Sequence, residues 1–157
     1  MPEFQSNSPQ KTEMIAIEFA GNLKPFDFVS ITGPLGAGKT KFTSGIVNFF
    51  CTDKDKKDYI LSPTYTIMNS YNCNAVINHF DFYRLKLLDE LENCGFFDSL
   101  AQEVITIAEW ANKISIDYKR YVEGNYYEVS ITPYKEEKRE SGENFQNKRH
   151  IKIEKVL

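Results

Sequence analysis

The chain has 157 residues, a formal net charge of −3 and a pI near 5.5. That length fits one domain, since single domains run to roughly 100–200 residues, and 41% hydrophobic residues can build one packed core. No stretch approaches the ~18 consecutive apolar residues of a membrane span, and the start of the chain lacks the apolar run of a signal peptide. We therefore expect a single cytoplasmic domain over residues 1–157 and no membrane segment.

The cysteines and the charge exclude further classes of protein. Cys51, Cys73 and Cys94 are odd in number and share no Cys-x-x-Cys spacing. This pattern argues against a disulfide framework or a zinc site and for a reducing cytoplasm. A slightly acidic chain is also a poor candidate to bind nucleic acid over a large surface by itself, because the nucleic-acid backbone is negatively charged.

The first predicted elements are a helix, a strand, a glycine-rich loop and a second helix. Ser8 is a plausible N-cap with Pro9 at the first helical position, and apolar residues then recur at helical spacing until the segment 21–25 ends the helix. Residues 26–32 are rich in β-formers and precede the glycine-rich segment 33–40. Apolar residues at helical spacing follow that segment and predict the second helix.

The remaining chain predicts mostly strands. The mixed-charge segment 51–58 reads as a solvated loop, and two β-rich runs on either side of residues 72–74 predict an antiparallel hairpin. A short helical turn over 89–94 ends at Gly95, and residues 103–110 form a buried strand. Two alternating segments, YYEVSITPY and RHIKIEKVL, predict strands on either side of an exposed polar loop at 135–148.

The segment GPLGAGKT matches the phosphate-binding pattern G-x-x-x-x-G-K-[ST] through Gly33, Gly38, Lys39 and Thr40. Glycines allow successive backbone N–H groups to turn toward phosphates. Lys39 would reach the β- and γ-phosphates and the Thr40 hydroxyl would bind Mg²⁺, while the following helix points its positive end at the same anion. The sequence therefore predicts a nucleotide-binding protein with an α/β, P-loop NTPase-like three-layer fold around a mixed central sheet that includes the antiparallel hairpin.

ATP is the expected nucleotide. The Asn-Lys-x-Asp element that reads guanine has only one candidate, residues 112–115, and it carries Ser115 where the aspartate belongs. A switch of the form Asp-x-x-Gly also fails, because Asp81 is followed at that offset by Arg84.

P-loop chemistry also needs carboxylates at the ends of neighbouring strands to hold Mg²⁺ and to orient water. Asp81 and Glu109 each follow an apolar run, the position where open α/β sheets place ligand chemistry. Each is either such a group or an ordinary solvated acid at a strand end. His79 is expected in the core, and Trp110 is either a core residue or a lid over the nucleotide.

A small-molecule kinase is the alternative enzyme. Kinases of this class usually bring arginines on a lid to the transferred phosphoryl group. The chain has four arginines, and only Arg139 and Arg149 flank a loop that could act as a lid. A binding module that is gated by nucleotide and barely hydrolyses it is a third possibility.

Four segments in this order, GPLGAGKT, SPTYT, HFDFYRL and AEW, resemble the TsaE (YjeE-like) family. The resemblance runs from the first helix to about Trp110. It implies a cytoplasmic P-loop ATPase with weak intrinsic activity, working beside TsaD and TsaB in the synthesis of threonylcarbamoyladenosine in tRNA, with the tRNA held by those partners.

The resemblance also implies roles for particular residues. Glu109 would hold Mg²⁺ together with Thr40, and Asp81 would lie beside the metal and the nucleophilic water. Residues 62–66 look like a switch loop that senses the γ-phosphate, and Thr12 and Glu13 match a family position near the adenine. The residues implied along the phosphates are Gly36, Ala37, Gly38, Lys39, Thr40 and Lys41.

Overall fold

The computed structural model describes residues 2–52, 60–134 and 148–157. Residues 53–58 of the first predicted loop and 135–147 of the second lie outside them. The strands are β1 (Glu3–Ser6), β2 (Phe28–Thr32), β3 (Met68–Asn72), β4 (Val76–Asp81), β5 (Ile105–Glu109), β6 (Tyr126–Pro133) and β7 (Arg149–Lys155). The helices are α1 (Pro9–Ala20), α2 (Lys39–Phe50), α3 (Leu88–Asn93) and α4 (Phe96–Leu100), with 3₁₀ turns at Ala111–Lys113 and Tyr118–Arg120.

The described strands form one mixed sheet in the order β1-β7-β6-β2-β5-β4-β3. The central strands β6, β2, β5 and β4 run parallel, whereas β3, β7 and β1 pair antiparallel with their neighbours. The predicted hairpin is confirmed as β3 and β4. Strand β1 was not predicted, because it is only four residues long and owes its place to backbone pairing with β7.

Helices and loops cover both faces of the sheet, which confirms the three-layer architecture. Alternate residues of each strand point to opposite faces, so Val29 and Ile31 of β2 pack in the core beneath α1 and α2, while Phe28 packs with Phe80 and Phe96 on the other side. Among the described residues, no helix combines the length and the apolar character needed to cross a membrane.

Helix α1 begins as its sequence predicts and packs closely on α2. The Ser8 side chain accepts a hydrogen bond from the Lys11 N–H at 3.1 Å, and Pro9 occupies the first turn. At the crossing, a Cβ on Gly45 would lie 2.5 Å from both the Ala16 Cβ and the Glu13 carbonyl oxygen. Only glycine leaves room for the two helices at this distance.

The expectation of no disulfide is wrong. Cys51, at the end of α2, is bonded to Cys73, in the turn of the β3–β4 hairpin, with the two Cα atoms 5.0 Å apart. The two residues are 22 positions apart in the chain, and only the packing of the hairpin beside α2 brings them together. Cys94 is free and half-buried.

Candidate nucleotide-binding site

The glycine-rich loop connects β2 to α2 in a backbone shape that needs its glycines. Gly33, Gly36 and Gly38 all have positive φ angles, of 150°, 75° and 104°. A Cβ on Gly33 would lie 2.2 Å from the carbonyl oxygen of Ile131 on β6. The loop therefore lies against the sheet with its backbone, and it leads directly into the N-terminus of α2, where helix N–H groups favour an anion.

Lys39, the first residue of α2, has an ammonium group held within the loop. Its Nζ donates to the carbonyl oxygens of Gly33 and Pro34 at 2.8 Å each. Burial lowers the pKa of Lys39, while the nearby charges of Glu109 and Asp81 oppose that shift. The ammonium thus occupies the mouth of the loop in contact with two carbonyls that a phosphate could replace.

Trp110 forms the edge of the same site. It directly follows β5 in a left-handed conformation with φ of 60°, and its ring centroid lies 3.7 Å from the Lys39 Nζ. The half-buried ring also packs against Tyr83 at a centroid distance of 5.0 Å. It contacts the part of the core that contains Phe28 as well. Trp110 therefore borders the core and lies against the P-loop lysine, and its place as a lid over a nucleotide stays a prediction.

Glu109 ends β5 and is only 2% exposed, so it is not a solvated strand-end acid. Its Oε2 accepts from the Thr40 hydroxyl at 3.0 Å. Its Oε1 lies 2.9 Å from Nε2 of His79 and accepts from the Thr43 hydroxyl at 3.3 Å. The carboxylate is therefore fixed at both oxygens, with one of them directed at the P-loop.

Asp81 lies beside Glu109, because the two residues are paired in register on the parallel strands β4 and β5. It is 3% exposed. Its Oδ2 accepts from the hydroxyls of Ser62 and Thr64, the latter at 2.8 Å, and its Oδ1 accepts from the Tyr83 N–H at 2.9 Å. The predicted switch segment 62–66 is thus attached to this carboxylate by two side-chain hydrogen bonds.

The chemistry of the donors fits Mg²⁺. In the described part of the chain, no three His, Cys, Asp or Glu side chains cluster as a metal site, but Mg²⁺ commonly uses one or two protein oxygens plus waters and substrate phosphates. The Thr40 hydroxyl and the Glu109 Oε2, 3.0 Å apart, form such a pair. Two buried carboxylates also favour a cation beside them.

A cavity of about 160 Å³ lies on the α1 side of the loop. Thr12 lines it, is 3% exposed and shares a hydrogen bond with Ser6 at 2.8 Å. Lys41 also lines it, with its Nζ 2.6 Å from Oε2 of Glu13. The structure therefore places the two predicted adenine-side residues and Lys41 together, next to Gly36, Ala37 and Gly38.

Arg149, which flanks the loop that the kinase alternative would use as a lid, lies on β7 at the edge of this cavity. Its Nε donates to the Ala37 carbonyl oxygen at 3.2 Å, so it supports the P-loop backbone. The chain distance between residues 37 and 149 hid this contact from sequence reasoning. Arg139, the second predicted lid residue, lies outside the described residues.

A family model described as "Threonylcarbamoyl adenosine biosynthesis protein TsaE" matches residues 6–141. The chain belongs to the TsaE family. The resemblance seen in its sequence motifs is thereby confirmed, and the family takes part in the biosynthesis of threonylcarbamoyladenosine in tRNA.

Relatives within the TsaE family come from distant bacteria. The Rickettsia conorii protein, a tRNA threonylcarbamoyladenosine biosynthesis protein TsaE, is 39% identical over 109 residues, which cover 69% of this chain and 60% of that protein. The Bacillus subtilis TsaE is 34% identical over 113 residues, covering 71% of this chain and 68% of the relative. The match thus spans only about 60% of the length of the Rickettsia conorii protein.

A solved structure agrees with the TsaE-family fold. The crystal structure of Bacillus subtilis YdiB superimposes with a TM-score of 0.68 at 24% identity, covering 99% of this chain and 86% of that one. This likeness confirms the predicted mixed α/β architecture.

Proposed function

We propose that this TsaE-family chain is the Mg²⁺-dependent ATP-binding and ATP-hydrolysing subunit that acts with TsaD and TsaB in the threonylcarbamoyladenosine modification of tRNA. One observation carries the proposal. Lys39 and Thr40 of the P-loop converge with the buried carboxylates Glu109 and Asp81 at one edge of the sheet. Family membership supplies the cellular process, and this geometry supplies the chemistry.

ATP would bind with its phosphates on the backbone N–H groups of residues 33–40 and its base toward the cavity beside Thr12. Phosphate binding requires the Lys39 ammonium to exchange the carbonyls of Gly33 and Pro34 for phosphate oxygens. The exchange replaces neutral carbonyl acceptors by anionic phosphate oxygens, so that both partners of each hydrogen bond carry charge. The missing guanine-reading aspartate supports adenine as the base.

Mg²⁺ would be held by the Thr40 hydroxyl and by Glu109, directly or through water. A metal ion held there would supply positive charge that offsets the negative charge of the ATP phosphates. Thr40 and Glu109 need little rearrangement, because their oxygens already lie together at 3.0 Å.

Asp81 is the proposed residue beside the attacking water. A buried carboxylate at the end of β4 can accept a hydrogen bond from a water molecule and so hold that water in line with the γ-phosphate. Its hydrogen bonds to Ser62 and Thr64 connect that position to the segment 62–66. A γ-phosphate in the site would therefore reposition this segment through Asp81, which is how hydrolysis could alter a surface that partners contact.

The net charge of −3 supports a role in which partners hold most of the tRNA. A cytoplasmic location follows from the same proposal, because the modification acts on tRNA. The kinase alternative has less support, since Arg149 lies on β7 and donates a hydrogen bond to the P-loop backbone at Ala37.

The test is the ATPase activity of the purified chain with and without TsaD–TsaB, with Mg²⁺ in excess. We expect weak activity alone and a severalfold increase with the partners, and Lys39→Ala should remove both. High activity alone, transfer of phosphate to an added metabolite, or failure to bind ATP would overturn the proposal.

A further inference from the structure

We propose that His79 is a positioning residue that turns the Glu109 carboxylate toward the metal side of the nucleotide site. The inference rests on the proposed Mg²⁺-nucleotide function and adds to it a residue that does not itself touch the nucleotide. His79 is on β4, two positions before Asp81, and its side chain is fully buried.

The two oxygens of Glu109 have different neighbours. Oε2 receives the Thr40 hydroxyl and faces the P-loop. Oε1 faces the interior of the sheet, where it meets His79 at 2.9 Å and Thr43 at 3.3 Å. A carboxylate attached at one oxygen only could rotate about its last bond. The contact with His79 is the shorter of the two interior contacts, so it contributes most to holding Oε2 outward.

The contacts of the His79 ring suit a role in orienting Glu109. A carboxylate that binds a metal ion only accepts hydrogen bonds, so in the proposed role Nε2 of His79 would carry the hydrogen. The opposite nitrogen, Nδ1, is buried and has no hydrogen-bond partner within the described residues. Tyr71 stacks on the ring at a centroid distance of 6.3 Å. Among the residues that the structure describes, the polar contact of the ring is therefore the one with Glu109.

The alternation of side chains along β4 places His79 on a buried face of the sheet. His79 and Asp81 share one face of β4, where alternate residues point beneath α2. An apolar residue would satisfy the core at this position equally well, as Ile77 does two residues earlier. Burial of a histidine costs more free energy than burial of an apolar residue, because its ring nitrogens lose their hydrogen bonds to water. The hydrogen bond to Glu109 offsets part of that cost. Residues behind a metal ligand fix its orientation, and their loss typically weakens metal binding about 10–100-fold.

The experiment compares four variants of the full chain: His79→Gln, His79→Asn, His79→Leu and the control Tyr71→Phe. Glutamine places its amide N–H near the original Nε2, whereas the shorter asparagine and the apolar leucine cannot donate to Glu109. Two affinities are measured for each: ADP binding in EDTA, and Mn²⁺ binding to the ADP-loaded protein by electron paramagnetic resonance. Circular dichroism verifies the fold, and asparagine provides a polar test if leucine does not fold.

His79→Asn and His79→Leu should weaken Mn²⁺ binding about 10–100-fold, with ADP affinity in EDTA unchanged. His79→Gln should restore Mn²⁺ binding close to that of the wild type. Tyr71→Phe should leave both affinities unchanged, because it removes only the hydroxyl and keeps the ring that stacks on His79. Wild-type Mn²⁺ affinity in the asparagine variant, equal weakening in the glutamine and asparagine variants, or a parallel loss of metal-free ADP binding would each overturn the inference. A wild-type chain that binds no ADP would instead overturn the proposed function.

Discussion

The Thr40 hydroxyl donates a hydrogen bond to Oε2 of Glu109 across 3.0 Å, and so joins the first turn of α2 to the end of β5. The two residues are 69 positions apart in the chain. Strand β5 ends at Glu109 and helix α2 begins at Lys39, both at the P-loop edge of the sheet. In the proposed function this contact would bring the two oxygen ligands of Mg²⁺ together before the metal binds, which is the preorganisation that tight binding needs.

Replacing Thr40 by valine keeps the shape of the side chain and removes its hydroxyl. We expect the Mg²⁺-dependent part of ADP affinity to fall by about tenfold or more, with metal-free ADP binding retained. Calorimetric titration with Mg²⁺ and with EDTA measures both. Ser44→Ala is the matched control, since its hydroxyl lies on the same helix but donates to the Thr40 carbonyl oxygen. Equal Mg²⁺ dependence in Thr40→Val and the wild type would contradict the metal role.

Replacing Asp81 by asparagine should separate binding from turnover. The neutral amide can still accept from the Tyr83 N–H but is a poor proton acceptor for water, so single-turnover ATP hydrolysis should fall by about 10²-fold or more. ATP affinity should change little, because the hydrogen bonds of the Asp81 side chain among the described residues go to Ser62, Thr64 and Tyr83 and not to the P-loop. Asp89→Asn, at an exposed position on α3, serves as the control. Unchanged hydrolysis with intact ATP binding would remove Asp81 from the mechanism.

Trp110 offers a direct signal of nucleotide binding, because it is the single tryptophan of the chain and its ring is covered by the Lys39 ammonium. When phosphates attract that ammonium away from the indole, the fluorescence emission should change. Lys39→Met should alter the emission of the free protein and abolish the response to ADP. An emission spectrum that stays the same at saturating ADP would mean that Lys39 keeps its place over the ring.

The close crossing of α1 and α2 predicts a specific stability loss. Gly45→Ala introduces a methyl group 2.5 Å from the Glu13 carbonyl oxygen, and such overpacking typically costs about 1–3 kcal/mol in the free energy of unfolding. Gly21→Ala is the control, because its nearest neighbour would lie at 3.5 Å, an ordinary contact. Urea denaturation measures both. Equal midpoints would show that the helices separate without cost.

The cysteine pairing predicts one free thiol in the chain unfolded without reductant, and three after reduction. Burial raises the pKa of the remaining Cys94 thiol. Because the thiolate is the reactive form, Cys94 should react with Ellman's reagent more slowly near neutral pH in the folded chain than in the unfolded one, and faster as the pH rises. Three thiols without reduction would contradict the pairing.

Local patterns were sufficient to predict the P-loop, the cap of α1 at Ser8 and the hairpin around residues 72–74, because each depends on neighbours in the chain. They also selected Asp81 and Glu109 as acids at strand ends. They could not determine that these acids lie side by side, since that depends on the register of β4 against β5.

The same limit applies to His79 and Arg149, whose partners lie 30 and 112 positions away. The Cys51–Cys73 pair was misjudged for a similar reason. An odd cysteine count describes composition, whereas a disulfide requires two elements to pack together. Strand β1 was missed because its four residues, two of them exposed, are too few to carry a clear periodic signal.

The most direct test of the central claim is the amount of threonylcarbamoyladenosine formed on tRNA in a reconstituted reaction with limiting TsaD–TsaB. With this chain and ATP, the product should exceed one modified tRNA per partner complex if the proposed hydrolysis, by moving the segment 62–66 that partners would contact, resets the complex between rounds. With Asp81→Asn in place of the wild type, the yield should fall toward a single round. A yield that is the same without the chain, or the same with Asp81→Asn, would contradict the account.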